Sequence, residues 1–138
     1  MGKRIHIFCD SGAFSMAGKA RRKLHVGERE FYETTEWMEY VDAYAEFIKA
    51  NIDCFDCYAN VDTSRFPDLT WKIQKYLEEE HGLKPLPVIH HGEEMKWVDK
   101  YLDAGYQYIC MGGVAKTKGY TPSGKFYEWG DHVWRRLC

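Results

Sequence analysis

RIHIFCDSGAFS, residues 4 to 15, decides how the chain is read. Ile5, Ile7 and Cys9 alternate in the period-two pattern of a strand, and the run stops at a carboxylate, Asp10. Ser11, Gly12 and Ala13 follow with almost no bulk, and then comes Phe14. In parallel α/β folds ligands sit outside the carboxyl ends of the strands, so an acid at a strand tip followed by cleared space points to a binding mouth. Small residues at that point let a planar ligand approach the backbone. The structural alternative for Asp10 is a turn or helix-cap residue held by backbone amides. Phe14 either stacks on a ligand or fills the core.

Outward from this stretch, apolar residues switch between two periods. Trp37, Met38, Val41, Tyr44, Ala45 and Ile48 recur at helical spacing, with Thr34 or Thr35 as the cap. CFDCYANVD, residues 54–62, reads as a second strand, and a helix follows from about Asp68 to Gly82. KPLPVIHHG, residues 84–92, is a third strand whose prolines stand at its start. Met95, Val98 and Leu102 mark a helix closed by Gly105, YQYICMGG (106–113) a fourth strand, and Phe126, Trp129, Val133 and Leu137 a last helix capped by Ser123. Four consecutive βα units at this spacing predict an α/β fold with a parallel sheet, built as a single domain over residues 1–138.

The composition, 45% apolar and 16% aromatic, is that of a globular chain rather than a disordered one. No apolar run is long enough to span a membrane, and the first residues carry no signal-peptide pattern. Five cysteines, an odd number, fit free thiols in a reducing, cytoplasmic setting. Cys54 and Cys57 form a CxxC, but residues three apart on a strand face opposite ways, so no metal site is expected. No cofactor is expected either. Net charge is −2, yet bases concentrate in KARRKLH (19–25) and KTKGYTPSGK (116–125). Each run is either a solvated surface or a phosphate-binding loop. Both leave from the carboxyl ends of expected strands, which favours Lys19, Arg21, Arg22, Lys23, Lys116 and Lys118 as nucleic-acid contacts.

The other strand ends carry their own candidates. Asp62 either caps the following turn or supplies a second carboxylate across the mouth from Asp10. Two carboxylates suit a guanine-like edge, whose N1–H and 2-amino group are both donors; as a magnesium signature they are weak. Of the adjacent His90 and His91, which face opposite sides of a strand, His91 beside Gly92 is the expected pocket residue. Gly112 and Gly113 either mark tight packing or expose amides to a carbonyl or phosphate oxygen. Substrate contacts are thus expected at Ser11, Gly12, Phe14, His91, Gly112 and Gly113.

DSGAFS after a first strand, NVD ending a second, PVIHHGE on a third and YICMGG on a fourth resemble the tRNA-guanine transglycosylase superfamily. The likeness is to its phage and bacterial branch of queuine-transferase-like, 7-deazaguanine DNA-modification proteins, over about residues 4 to 130. The resemblance implies a (β/α)₈ TIM barrel, of which four units are half, and exchange of a guanine for a 7-deazaguanine in tRNA or DNA through a glycosyl-enzyme intermediate. It implies base-pocket roles for Asp10 and Asp62 and backbone contacts to the base at Gly112 and Gly113. His91 stands where the tRNA enzymes use a glutamine. No residue after Gly113 matches the family's nucleophilic aspartate or zinc cysteines, so any covalent step in this chain falls to Asp10 or Asp62. A half-barrel leaves two sheet edges, so a homo-oligomer or a complementary second chain is expected. Two other readings stand beside this one: a nucleic-acid or base-binding module without turnover, and an unrelated fold serving a phosphorylated ligand at Gly112, Gly113 and Lys116.

Overall fold

Strand β1 (Phe8–Cys9) lies parallel to β2 (Cys57–Tyr58), with Phe8 opposite Cys57 and Cys9 opposite Tyr58. The structure, a computed structural model, describes Gly2, residues 4–113 and residues 124–138, the side chains of 124–127 excepted. Lys116, Lys118 and Ser123 lie outside the described residues, as does the side chain of Phe126. The chain divides into two compact units, Met1–Leu86 and Pro87–Cys138.

In the first unit, three helices separate the two strands: α1 (Ala13–Leu24), α2 (Glu28–Phe31) and α3 (Thr35–Ala50). Helix α4 (Pro67–Glu79) follows β2. Thr34 is the cap of α3: its hydroxyl oxygen accepts the Trp37 amide at 3.2 Å. One face of α3 buries Trp37, Val41, Tyr44, Ala45 and Ile48 against Leu69, Ile73 and Leu77 of α4 and against Phe31 and Tyr32. Proline at the first position of α4 sacrifices only an amide that has no intrahelical partner. Arg29 of α2 grips Asp68 of α4 through two hydrogen bonds, at 2.6 and 3.2 Å, and this holds the Asp68 carboxyl below its ordinary value.

The second unit pairs β3 (Val88–His90) with β4 (Cys110–Gly112), again in parallel. Helix α5 (Met95–Asp103) buries Val98 and Tyr101, and α6 (Gly124–Leu137) buries Trp129 and Val133. Arg136 of α6 bonds both carboxylate oxygens of Asp99 on α5.

Four βα units forming half of a TIM barrel are not what the chain builds. Among the described residues it is mostly helical, and the strands there are two or three residues long, in two two-stranded sheets. That is well short of the five or six residues of an ordinary strand. Two features of the sequence account for the difference. Pro85 and Pro87 have no amide to donate, so the segment beside β2 is reduced to one bridge, Ala59 to Leu86, before β3 begins. Residues 16–34, expected as a basic loop, are instead mostly helical, in α1 (Ala13–Leu24) and α2 (Glu28–Phe31). Ala13, Ala17 and Ala20 form the buried stripe of α1, so Lys19, Arg21, Arg22 and Lys23 stand on a helix. Among the described residues no helix is long and apolar enough to cross a membrane.

Candidate functional site

The turn from β1 into α1 is fixed by its own short side chains. Asp10 Oδ1 accepts the Ser11 amide at 2.7 Å, and Ser11 Oγ accepts the Ala13 amide at 3.3 Å, satisfying one of the unpaired amides at the start of α1. Gly12 takes a left-handed φ of 68°, and a Cβ there would come within 3.2 Å of the Tyr40 hydroxyl. That hydroxyl donates to the Ser11 carbonyl. Ser11 is therefore buried and committed to the turn, while Asp10 is exposed and its Oδ2 has no hydrogen-bond partner among the described residues. Phe14 is 88% exposed on α1, so it does not fill the core.

A cavity of about 300 Å³ opens beside this turn, lined by Cys9, Asp10, Ser11, Tyr40, Tyr44 and Phe47 among others. Its size lies at the lower end of ligand cavities. Burial first, and then the nearby carboxylates of Asp10 and Asp62, raise the Tyr40 phenol above its ordinary value. Tyr32 is pushed up to about 12 by burial, then by Glu28 and Asp62. Burial and Asp10 raise the Cys9 thiol, which leaves it a poor nucleophile. Asp10 and Asp62, 52 positions apart in the chain, thus act on one phenol at the carboxyl ends of the β1–β2 pair. Asp62 itself is half-buried and does not line the cavity.

The residues flanking Asp62 are fixed by a buried network. Thr63 and Thr70 are buried, with the Thr63 amide donating to Thr70 Oγ1 at 3.0 Å and the two hydroxyls 2.9 Å apart. Thr63 Oγ1 also lies 2.8 Å from the Phe66 carbonyl, and Asn60 donates to the Thr70 carbonyl at 3.0 Å. This network ties the end of β2 to the first turn of α4.

On α1, Lys19, Arg22 and Lys23 are exposed, and their i, i+3, i+4 spacing places them on one face. Phe14 and Gly18 precede Arg22 at intervals of four, so an exposed aromatic begins the strip that the cations end. Arg21 is half-buried and pairs with Glu28 at 3.6 Å.

His91 and the two glycines belong to the second unit. His91 packs its ring edge-to-face on Trp129 at 5.4 Å, and its amide donates to the Gly112 carbonyl at 3.1 Å. The ring facing the glycines is that of His90: a Cβ on Gly112 would lie 3.0 Å from its Cδ2 and Nε2. His90 Nδ1 stands 3.4 Å from Oε1 of Glu93, whose side chain is only 7% exposed. That separation brings the ring and the carboxylate close without a hydrogen bond between these two atoms. Gly112→Ala should push the ring off Glu93 and destabilise the chain by about 1–3 kcal/mol. Thermal unfolding together with the His90 ring resonances checks this; an unmoved ring would contradict the packing.

Tyr40 and Glu93 escape sequence reading. Tyr40 follows Trp37 by three residues and so looks like part of a core stripe, and Glu93 looks like a solvated turn acid. Among the described residues no three His, Cys, Asp or Glu side chains group to hold a metal ion, and all five cysteines are free thiols. Comparison with protein-family models, curated proteins and solved structures finds no match to this chain.

Proposed function

We propose that the mouth of the β1–β2 pair recognises a guanine or 7-deazaguanine base in tRNA or DNA, in the manner of a transglycosylase-like protein. The observation that carries this reading is the cavity beside the β1 turn, with the exposed Asp10 carboxylate and the Tyr40 ring on its wall. Asp10, on the cavity wall, is an acceptor for a donor of the guanine edge, N1–H or 2-amino. Asp62, which follows β2 outside the cavity lining, adds a second negative charge nearby. Adenine places an acceptor where guanine has N1–H, so it meets a carboxylate unfavourably. Phe14 supplies an exposed ring on which a base stacks. Lys19, Arg22 and Lys23 hold the phosphates that follow. Base exchange would proceed by attack of one carboxylate on the anomeric carbon as the base leaves with the bonding pair and takes up a proton. The setting is the cytoplasm, where tRNA is modified and free thiols stay reduced.

Equilibrium dialysis of guanine, 7-deazaguanine and adenine against the full chain tests the reading. Guanine should bind more tightly than adenine. Asp10→Ala should weaken guanine about 10- to 100-fold, the worth of a charged hydrogen bond, while polynucleotide binding persists. Equal affinity for guanine and adenine, or indifference to Asp10→Ala, would remove the base pocket. Uptake of labelled guanine into tRNA or phage DNA then separates an exchanging enzyme from a module that binds only.

A further inference from the structure

Where α3 meets the residues just after α4 in the first unit, three ionisable side chains meet at one imidazole. His81, mostly buried, places Nε2 at 2.8 Å from Asp42 Oδ1 and Nδ1 at 2.8 Å from Lys49 Nζ. Glu46 Oε1 lies 3.7 Å from the same Nδ1 and 2.9 Å from Lys49 Nζ. A carboxylate only accepts and an ammonium only donates, so the neutral ring carries its proton on Nε2 and offers the Nδ1 lone pair to Lys49.

We propose that Asp42, Glu46, Lys49 and His81 form a proton-operated clasp between α3 and the end of α4. With His81 neutral, Lys49 is bound at Nδ1. A proton taken from solvent onto Nδ1 turns that atom into a donor. It then bonds Glu46, the nearest remaining acceptor, and the Lys49 ammonium, its own protons unchanged, leaves Nδ1 and is held through Glu46 alone. The groups facing the ring from every side are accounted for. Asp42, Glu46 and Lys49 come from α3. Tyr76, whose ring meets His81 edge-on at 5.3 Å and whose hydroxyl also feels Glu80, comes from α4. Tyr58 of β2 and Lys84 line the same cavity of about 350 Å³, together with Lys49, Ile52 and Leu83. The Tyr76 hydrogen bond first, and then His81, hold the Asp42 carboxyl below its ordinary value, so Asp42 stays ionised while imidazoles titrate. Acidification therefore shifts Lys49 from the imidazole to Glu46 at the wall of that cavity.

Nuclear magnetic resonance of the full chain, labelled at histidine and lysine, reads the exchange directly. At about pH 8 the His81 ring should carry its proton on Nε2. As both nitrogens become protonated, the Lys49 side-chain resonance should move along the same transition. In the H81Q variant, the Lys49 resonance should stay still through that range. E46Q removes the acidic acceptor at an exposed position, so on acidification this variant should lose more thermal stability than the parent. A ring protonated on Nδ1 at the alkaline end, a Lys49 resonance that ignores His81, or an E46Q profile parallel to the parent would each overturn the clasp.

Discussion

Trp37→Ala should cost the chain about 3–5 kcal/mol, the range for emptying a large buried aromatic site. Trp37 has no exposed surface and sits at the centre of an aromatic cluster. Tyr32 and Phe31 meet it edge-on at 4.7 and 5.7 Å, and Tyr40 stacks on it at 5.8 Å. Its indole N–H has no hydrogen-bond partner, so its contribution is packing. Trp37→Phe should therefore cost much less, about 1–2 kcal/mol, because most of the ring contacts survive and no hydrogen bond is broken. Denaturant unfolding of both variants checks this. Equal losses would mean that the site fails by strain rather than by lost contact. The same cluster carries Tyr40 to the mouth, so Trp37→Ala should also loosen the Ser11–Tyr40 hydrogen bond.

Thr70→Val is the second large effect and reaches the site from behind. Valine has the shape of threonine but cannot accept the buried Thr63 amide or bond the Thr63 hydroxyl. A buried donor left without an acceptor costs about 1–3 kcal/mol, and this one adjoins Asp62. The variant should lose that much stability and also bind guanine more weakly, whereas Thr70→Ser, which keeps the hydroxyl, should restore most of both. Loss of stability with unchanged guanine binding would show that the network supports the fold without positioning Asp62.

The legible parts of this chain are those with strong local signals. Helix α3 has a wide apolar stripe and a threonine cap, and α4 carries a proline at its first turn. Both follow from residues that act locally. Asp10 does follow a strand, but the Ile5–Ile7–Cys9 alternation overstated it: β1 is only Phe8–Cys9, and Ile5 and Ile7 are exposed. The sheet was not legible, because Pro85 and Pro87 act on pairing with a distant segment and their effect depends on which partner lies alongside. Helix α1 was hidden for another reason. Its buried face is made of alanines, which carry little apolar contrast beside five basic residues between 19 and 25, counting His25. The choice between His90 and His91 turned on which ring lies over Gly112, a fact of strand register rather than composition.

Titration of the Tyr40 phenol, followed by its ring carbon resonance in the parent, Asp10→Asn and Asp62→Asn, tests the convergence of the two acids without any ligand. Burial, Asp10 and Asp62 hold this phenol above the ordinary tyrosine value of about 10. Removing either negative charge makes the phenolate easier to form, so each substitution should lower the midpoint, and both together should lower it further. A midpoint that ignores either substitution would place that carboxylate away from Tyr40 and dissolve the shared mouth.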